Sequence, residues 1–118
     1  MKTIKSTALL IISIFLCQFS FAQTVGKQTI KVAGMCGECK KKIEKSALSA
    51  GAIFANWNKK TNQLNFSYDP AVSNPIKIET AIAGAGYDTQ NVKAGNENYN
   101  NLDKCCQYER KSLTSKIN

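Results

Sequence analysis

The stretch "QTIKVAGMCGECKKKIEKSALSAG", residues 28–51, changes its period part-way along. Ile30 and Val32 alternate with Thr29 and Lys31, the two-residue repeat of a half-buried strand. Gly34 to Gly37 read as loop. From about Glu38 to Ala50 the repeat turns helical, because Ile43, Ala47 and Ala50 lie four and three residues apart and share a face. Gly51 stops that helix. A strand that hands over to a helix across a short loop is the first half of an α+β unit.

The rest of the chain supplies a second half of the same kind. A strand is expected at about Ala52 to Trp57, and "NKKTN", residues 58–62, is a polar turn. In "QLNFSY", residues 63–68, Leu64, Phe66 and Tyr68 alternate with Asn65 and Ser67, so the two strands form a hairpin that Asp69-Pro70 ends. Asn74 is a good N-cap and Pro75 suits the first position of a second helix. Ile78, Ala81, Ile82 and Ala85 make its buried stripe, and Gly84 and Gly86 close it. A short, weak strand at about Tyr87 to Val92 completes the order β-α-β-β-α-β. That is the ferredoxin-like arrangement, an antiparallel sheet with both helices on one face, since right-handed crossovers put them on the same side. The core from Lys27 to Val92 is only 66 residues. A chain of that size buries about 60% of its unfolded surface and gains from a metal, a disulfide or a docked tail.

The ends differ from this core. Lys2 and Lys5 form a basic n-region, Ala8 to Leu16 an apolar h-region, and Ser20-Phe21-Ala22 a cleavage site. Residues 1–22 are therefore read as a signal peptide, leaving a mature chain of 96 residues that begins at Gln23 and is periplasmic or secreted. The apolar run is too short for a membrane span. Cys17 raises a lipoprotein cut, but Leu16 stands where a small residue is needed, and Cys17 is read as an apolar residue of the leader. The domain then covers 23–92, and 93–118 form a polar tail carrying Cys105-Cys106, ordered to about Tyr108 with Tyr99 and Tyr108 packed, and loose beyond.

Charge and residue counts narrow the chemistry. Losing Lys2 and Lys5 takes the formal charge from +8 to +6. An export signal argues against nucleic acid, so the charge serves solubility or docking on an acidic protein surface. There is no histidine, which removes Ser-His and Cys-His nucleophile pairs and histidine metal ligation. Four cysteines remain after the leader: Cys36, Cys39, Cys105 and Cys106. A bond between adjacent Cys105 and Cys106 strains disulfide geometry.

Cys36 ends a loop and Cys39 sits in the first turn of a helix, so their sulfurs converge where exposed N–H groups and the helix dipole favour thiolate. Two thiolates select a soft ion over magnesium or calcium and leave its coordination sphere open, which suits a cargo and not a four-ligand structural zinc. Lys40, Lys41 and Lys42 oppose the dipole in that turn. They are either a solvated face or a group that tunes the site, and the sequence weighs these equally.

With those residues in view, residues 28 to about 92 resemble the heavy-metal-associated (HMA) domain family, which includes copper chaperones, transporter metal-binding domains and the periplasmic mercury-binding protein. The matching segments are "VAGMCGEC", "KKKIEKSAL", Gly51, "SYDP" and "AIAGAGYDT". A lone CxxC is weak evidence; CxxC within that frame is strong. The resemblance implies that Cys36 and Cys39 are the metal ligands and that Tyr87 lies close to the metal loop. It implies an exported, non-enzymatic carrier of copper(I), with mercury, silver or zinc as other cargoes, and a metal transporter or other metal-binding protein as partner. One departure stands out. The family usually has a buried methionine two residues before the first cysteine; here that position is Gly34, and Met35 is expected to be exposed on a looser loop.

The Cys105-Cys106 pair lies outside the basic domain, and three readings stand open. It folds back to add thiolates to Cys36 and Cys39, it makes its own site or partner contact, or it is oxidised onto Cys36 and Cys39. The first two are preferred. Against the carrier stands a thiol–disulfide oxidoreductase using the "CGEC" pair, disfavoured because the core is short for a thioredoxin fold and Trp57 is far from the motif in sequence. A third reading is an interaction domain with an inert CxxC disulfide.

Overall fold

A computed structural model describes residues 24–110. The leader expected over 1–22, with Cys17, and the chain after Arg110 lie outside the described residues. β1 (Gly26–Lys31), α1 (Gly37–Ser49), β2 (Ala52–Trp57), β3 (Gln63–Tyr68) and α2 (Pro75–Gly84) follow one another, then a short helix α3 (Asn96–Asn100) and a 3₁₀ turn at Lys104–Cys106. The sheet order is β1-β3-β2, with β3 antiparallel to both neighbours. β1 and β2 are thus parallel, and α1 is the crossover between them.

Each boundary has a local cause. Asn74 accepts from the Lys77 N–H at 2.9 Å and Pro75 opens α2. Gly51, at φ +105°, takes the left-handed turn that releases α1 into β2. Register follows the apolar pattern: Ile30 lies opposite Leu64, and Leu64 opposite Trp57. Ile43 and Ala47 of α1 and Ile78 and Ile82 of α2 are fully buried and form one core with the sheet. The α2 stripe is rotated from the expected one: Ile78, Glu79, Ile82 and Ala83 are buried, while Ala81 and Ala85 are half-buried.

The fourth strand is reduced to a single bridge, Val32 to Thr89, in the place beside β1 that the ferredoxin-like order assigns to it. Two ladder-like bonds support it, Ala33 N–H to Asp88 O at 2.9 Å and Gln90 N–H to Lys31 O at 2.8 Å. The chain then turns, because other groups claim its backbone. Thr89 N–H donates to Val92 O, Val92 N–H donates to Thr89 Oγ1, and Asn91 N–H donates to the buried Glu79 carboxylate. No helix among the described residues is long and apolar enough to cross a membrane.

The segment after residue 92 packs on the domain. Ala94, Leu102, Cys106 and Tyr108 are buried, and Leu102, Cys106 and Tyr108 join the main core. From Cys105 to Arg110 the chain alternates: Cys105, Gln107 and Glu109 are exposed, while Cys106, Tyr108 and Arg110 turn inward.

Candidate metal centre

Cys36 is the N-cap residue of α1, and its backbone is extended. Its sulfur faces the Cys39 and Glu38 N–H groups without closing a cap bond of regular geometry. The Cys39 N–H, then the Cys39 and Cys106 thiols, outweigh burial and bring the Cys36 thiol down to about 7. Cys39, one turn into α1, is fully buried against the core, with its Sγ 3.2 Å from that of Cys36.

The tail brings the other two thiols to the same place. Cys106 Sγ lies 3.5 Å and Cys105 Sγ 3.9 Å from Cys36 Sγ, and the two tail sulfurs are 3.8 Å apart. The sulfurs of Cys36, Cys39 and Cys106 all lie within 4.8 Å of one another. Among the described residues the four cysteines are all free thiols. Burial, and then the Cys39 and Cys36 thiols, push the Cys106 thiol well above its ordinary range. Cys105 is exposed, and its pKa is also raised: a hydrogen bond from Cys106 lowers it, but the Cys36 thiol and partial burial outweigh that.

Tyr87 closes the inner side of the cluster. It is fully buried, and its hydroxyl makes no hydrogen bond of regular geometry. Burial and the neighbouring Cys106 and Cys39 thiols push its pKa far up, so it stays a neutral phenol among sulfurs. An unpartnered buried hydroxyl beside the Cys39 and Cys106 thiols fits a site whose occupant is a soft ion on sulfur.

The loop takes its shape from a residue that the sequence placed only on a strand. A Cβ on Gly34 would lie 2.8 Å from Cζ2 of the Trp57 indole and 3.3 Å from Cδ1 of Ile43. Trp57 is buried and donates from Nε1 to Val32 O at 2.9 Å. The indole therefore fills the space next to the Gly34 backbone. Met35 is 49% exposed, as the sequence led one to expect.

The lysine run divides three ways. Lys40 Nζ donates to Glu44 Oε1 at 2.6 Å, Trp57 O at 2.7 Å and Asn56 Oδ1 at 2.9 Å, which ties α1 to β2. Lys41 is largely exposed and pairs loosely with Glu38 at 3.6 Å. Lys42 pairs with Asp103 at 3.4 Å and is the cation whose field reaches the tail thiols. The lowering at Cys36 comes chiefly from helix N–H groups and neighbouring thiols.

A family model for the heavy-metal-associated domain matches residues 29–88. The chain belongs to that family. Among solved structures, the chain is similar to the CopZ metallochaperone, with 27% identity, a TM-score of 0.52, and coverage of 54% of this chain and 98% of that one. It is also similar to oxidized MerP from Ralstonia metallidurans CH34, at 25% identity and a TM-score of 0.53, covering 56% of this chain and 94% of the other. The water-soluble region of the P-type ATPase CopA from Bacillus subtilis is 30% identical, with a TM-score of 0.54, covering 59% of this chain and 48% of that one. No curated protein matches the chain. The matched segment ends at residue 88, so Cys36 and Cys39 lie inside it and Cys105 and Cys106 outside it.

Proposed function

We propose that the protein is an exported carrier of one soft metal ion, copper(I) first and silver, mercury or zinc as competitors, held by Cys36 and Cys39. The observation that carries this reading is the convergence of those two sulfurs to 3.2 Å at a helix start, with one thiol brought down to about 7. Its support from likeness is that similar chains include a CopZ metallochaperone, MerP and the soluble region of a P-type ATPase. The site performs no chemistry on its cargo. Thiolates of the acceptor, a metal transporter or another metal-binding protein, bond to the ion as the bonds to Cys36 and Cys39 break. A half-exposed Cys36 beside a buried Cys39 gives that exchange an order, with Cys36 displaced from the ion first. A leader over residues 1–22 carries the export reading, and a basic surface suits an acidic partner.

Native mass spectrometry of the reduced protein, offered copper(I), zinc and mercury together, tests the cargo. One copper(I) per chain is expected. Replacing Cys36 and Cys39 together by serine is expected to abolish tight binding while the circular dichroism is unchanged. Tight copper(I) binding by that variant would remove the assignment.

A thiol–disulfide oxidoreductase is the second reading, and the same low Cys36 pKa and short sulfur–sulfur approach favour it. The reduction potential of the Cys36–Cys39 pair separates the two. A pair that exchanges with glutathione faster than it takes up copper(I) would favour the redox protein.

A further inference from the structure

We infer that the tail completes the metal site in cis: Cys106 is a third thiolate ligand beside Cys36 and Cys39, and Cys105 is the exchange thiol through which the ion enters and leaves. This rests on the metal-carrier reading and extends it to residues outside the HMA domain.

The geometry favours three sulfurs over two. A metal–sulfur bond of about 2.3 Å puts sulfurs about 4.6 Å apart when two bind in a line, and about 4.0 Å apart around a three-coordinate ion. The observed separations are 3.2 Å for Cys36–Cys39 and 3.5 Å for Cys36–Cys106. A three-sulfur site needs these two pairs to open by less than about 1 Å, with Cys39 and Cys106 already within 4.8 Å, whereas a linear pair needs Cys36 and Cys39 to part by well over 1 Å.

Cys106 is held where it is. Tyr108, two residues on, donates from its hydroxyl to Gly86 O at 2.9 Å and accepts from Asp88 N–H at 2.7 Å. Its ring stacks on Tyr87 at 6.1 Å and meets Tyr99 edge-on at 5.1 Å. Arg110 then clamps both Asp88 carboxylate oxygens, at 2.7 and 3.0 Å, and donates to Ala94 O. A tail with no business at the site would not need Cys106 fully buried against Cys39 and Tyr87 and fixed by two successive anchors. Three thiolates around a monovalent ion carry a net charge of two minus.

Cys105 differs from its neighbour in the property that exchange requires. It is exposed, yet its sulfur is 3.9 Å from Cys36 and 3.8 Å from Cys106. In an exchange step, the Cys105 sulfur bonds to the ion and gives up its proton, while the Cys36–metal bond breaks and Cys36 takes a proton up. The ion's charge and oxidation state are unchanged. The ion then stands at the surface, where an acceptor thiol displaces Cys105 in the same way.

The test uses the full reduced chain loaded with copper(I). X-ray absorption should count three sulfur neighbours in the wild type and two in Cys106→Ser. Competition with a chromophoric copper(I) chelator should show at least tenfold weaker binding in that variant. Arg110→Gln keeps every thiol and loosens the clamp, so it should also weaken binding, by a smaller factor, which guards against misfolding of the buried serine variant. Cys105→Ser should keep three sulfurs and wild-type affinity but pass copper(I) to the chelator several-fold more slowly. Two sulfurs in the wild type, or unchanged sulfur count and affinity in Cys106→Ser, would overturn the third-ligand assignment. Wild-type transfer rates in Cys105→Ser would overturn the exchange role. Tight binding by the Cys36→Ser, Cys39→Ser variant would instead overturn the carrier reading beneath both.

Discussion

At the scale of single residues, the fit between Gly34 and Trp57 shapes the loop that leads into Cys36. The indole occupies the volume beside Gly34, with Cζ2 2.8 Å from where a Cβ would sit, and its Nε1 satisfies the Val32 carbonyl. Gly34 is not among the residues with positive φ, so its smallness serves packing and not backbone freedom. Gly34→Met alone should overpack the site and cost about 1–3 kcal/mol. Trp57→Ala alone should leave a cavity and an unpaired carbonyl and cost about 3–5 kcal/mol. The double variant puts a methionine into the vacated space, so its cost should fall at least about 1 kcal/mol below the sum. Urea denaturation of the four proteins measures this coupling, and strict additivity would show that the two residues do not share one volume. Sequence pattern found Trp57 on β2 but not its role. Its partner is Gly34, twenty-three positions away, and a glycine leaves no side-chain signal to pair with.

At the scale of elements, the hairpin and both helices were legible because each carries its own period and its own stop: the alternation of Leu64 and Phe66, Asn74-Pro75 before α2, and Gly51 after α1. Two features were not. The strand expected at Tyr87–Val92 shrinks to one bridge because the Glu79 carboxylate, from a helix, takes Asn91 N–H and bonds Thr89 Oγ1. Such competition between a distant side chain and a sheet ladder has no local signature. The lysine run also reads as one feature and is three. Lys40 braces α1 against β2 through Glu44 and the Trp57 carbonyl, whereas Lys41 meets mostly solvent. Lys40→Gln should therefore cost about 1 kcal/mol, a modest figure because the side chain is partly exposed, and Lys41→Gln close to nothing. Thermal or urea melts check this. The Cys36 titration near 7 should be unchanged in both variants, since the Cys39 N–H and the neighbouring thiols set it. A rise of the thiol pKa in either variant would give the lysines the tuning role that the structure assigns to the helix start.

At the scale of the whole molecule, two ion pairs join the tail to the domain, the exposed Lys42–Asp103 and the buried Arg110–Asp88, and the buried one holds the tail. Arg110 meets Asp88 with side chains 17% and 5% exposed, and its guanidinium also lies 4.9 Å over the Tyr99 ring. Burial alone would raise the Asp88 pKa. The Arg110 hydrogen bonds and the Ala94 N–H outweigh it and hold the carboxyl below its usual range. A carboxyl depressed by folding contributes its stability above the unfolded value of about 3.9, and that contribution is lost as pH falls through the lower folded value. The docked tail should thus be pH-insensitive from neutral down to about pH 4 and loosen in the acid range below it. The metal-free protein is the right sample, because acid also protonates thiolates and would expel a bound ion. Hydrogen exchange at the Asp88 amide, which donates to the Tyr108 hydroxyl, reports the docking directly. Exchange there should accelerate below pH 4 relative to core amides such as that of Ile43. In Asp88→Asn the acid step should vanish, with faster exchange already at neutral pH from the loss of a charge-assisted bond of about 1.5–3 kcal/mol. An acid step that persists in Asp88→Asn would place the titrating group elsewhere and leave Arg110 as a surface contact.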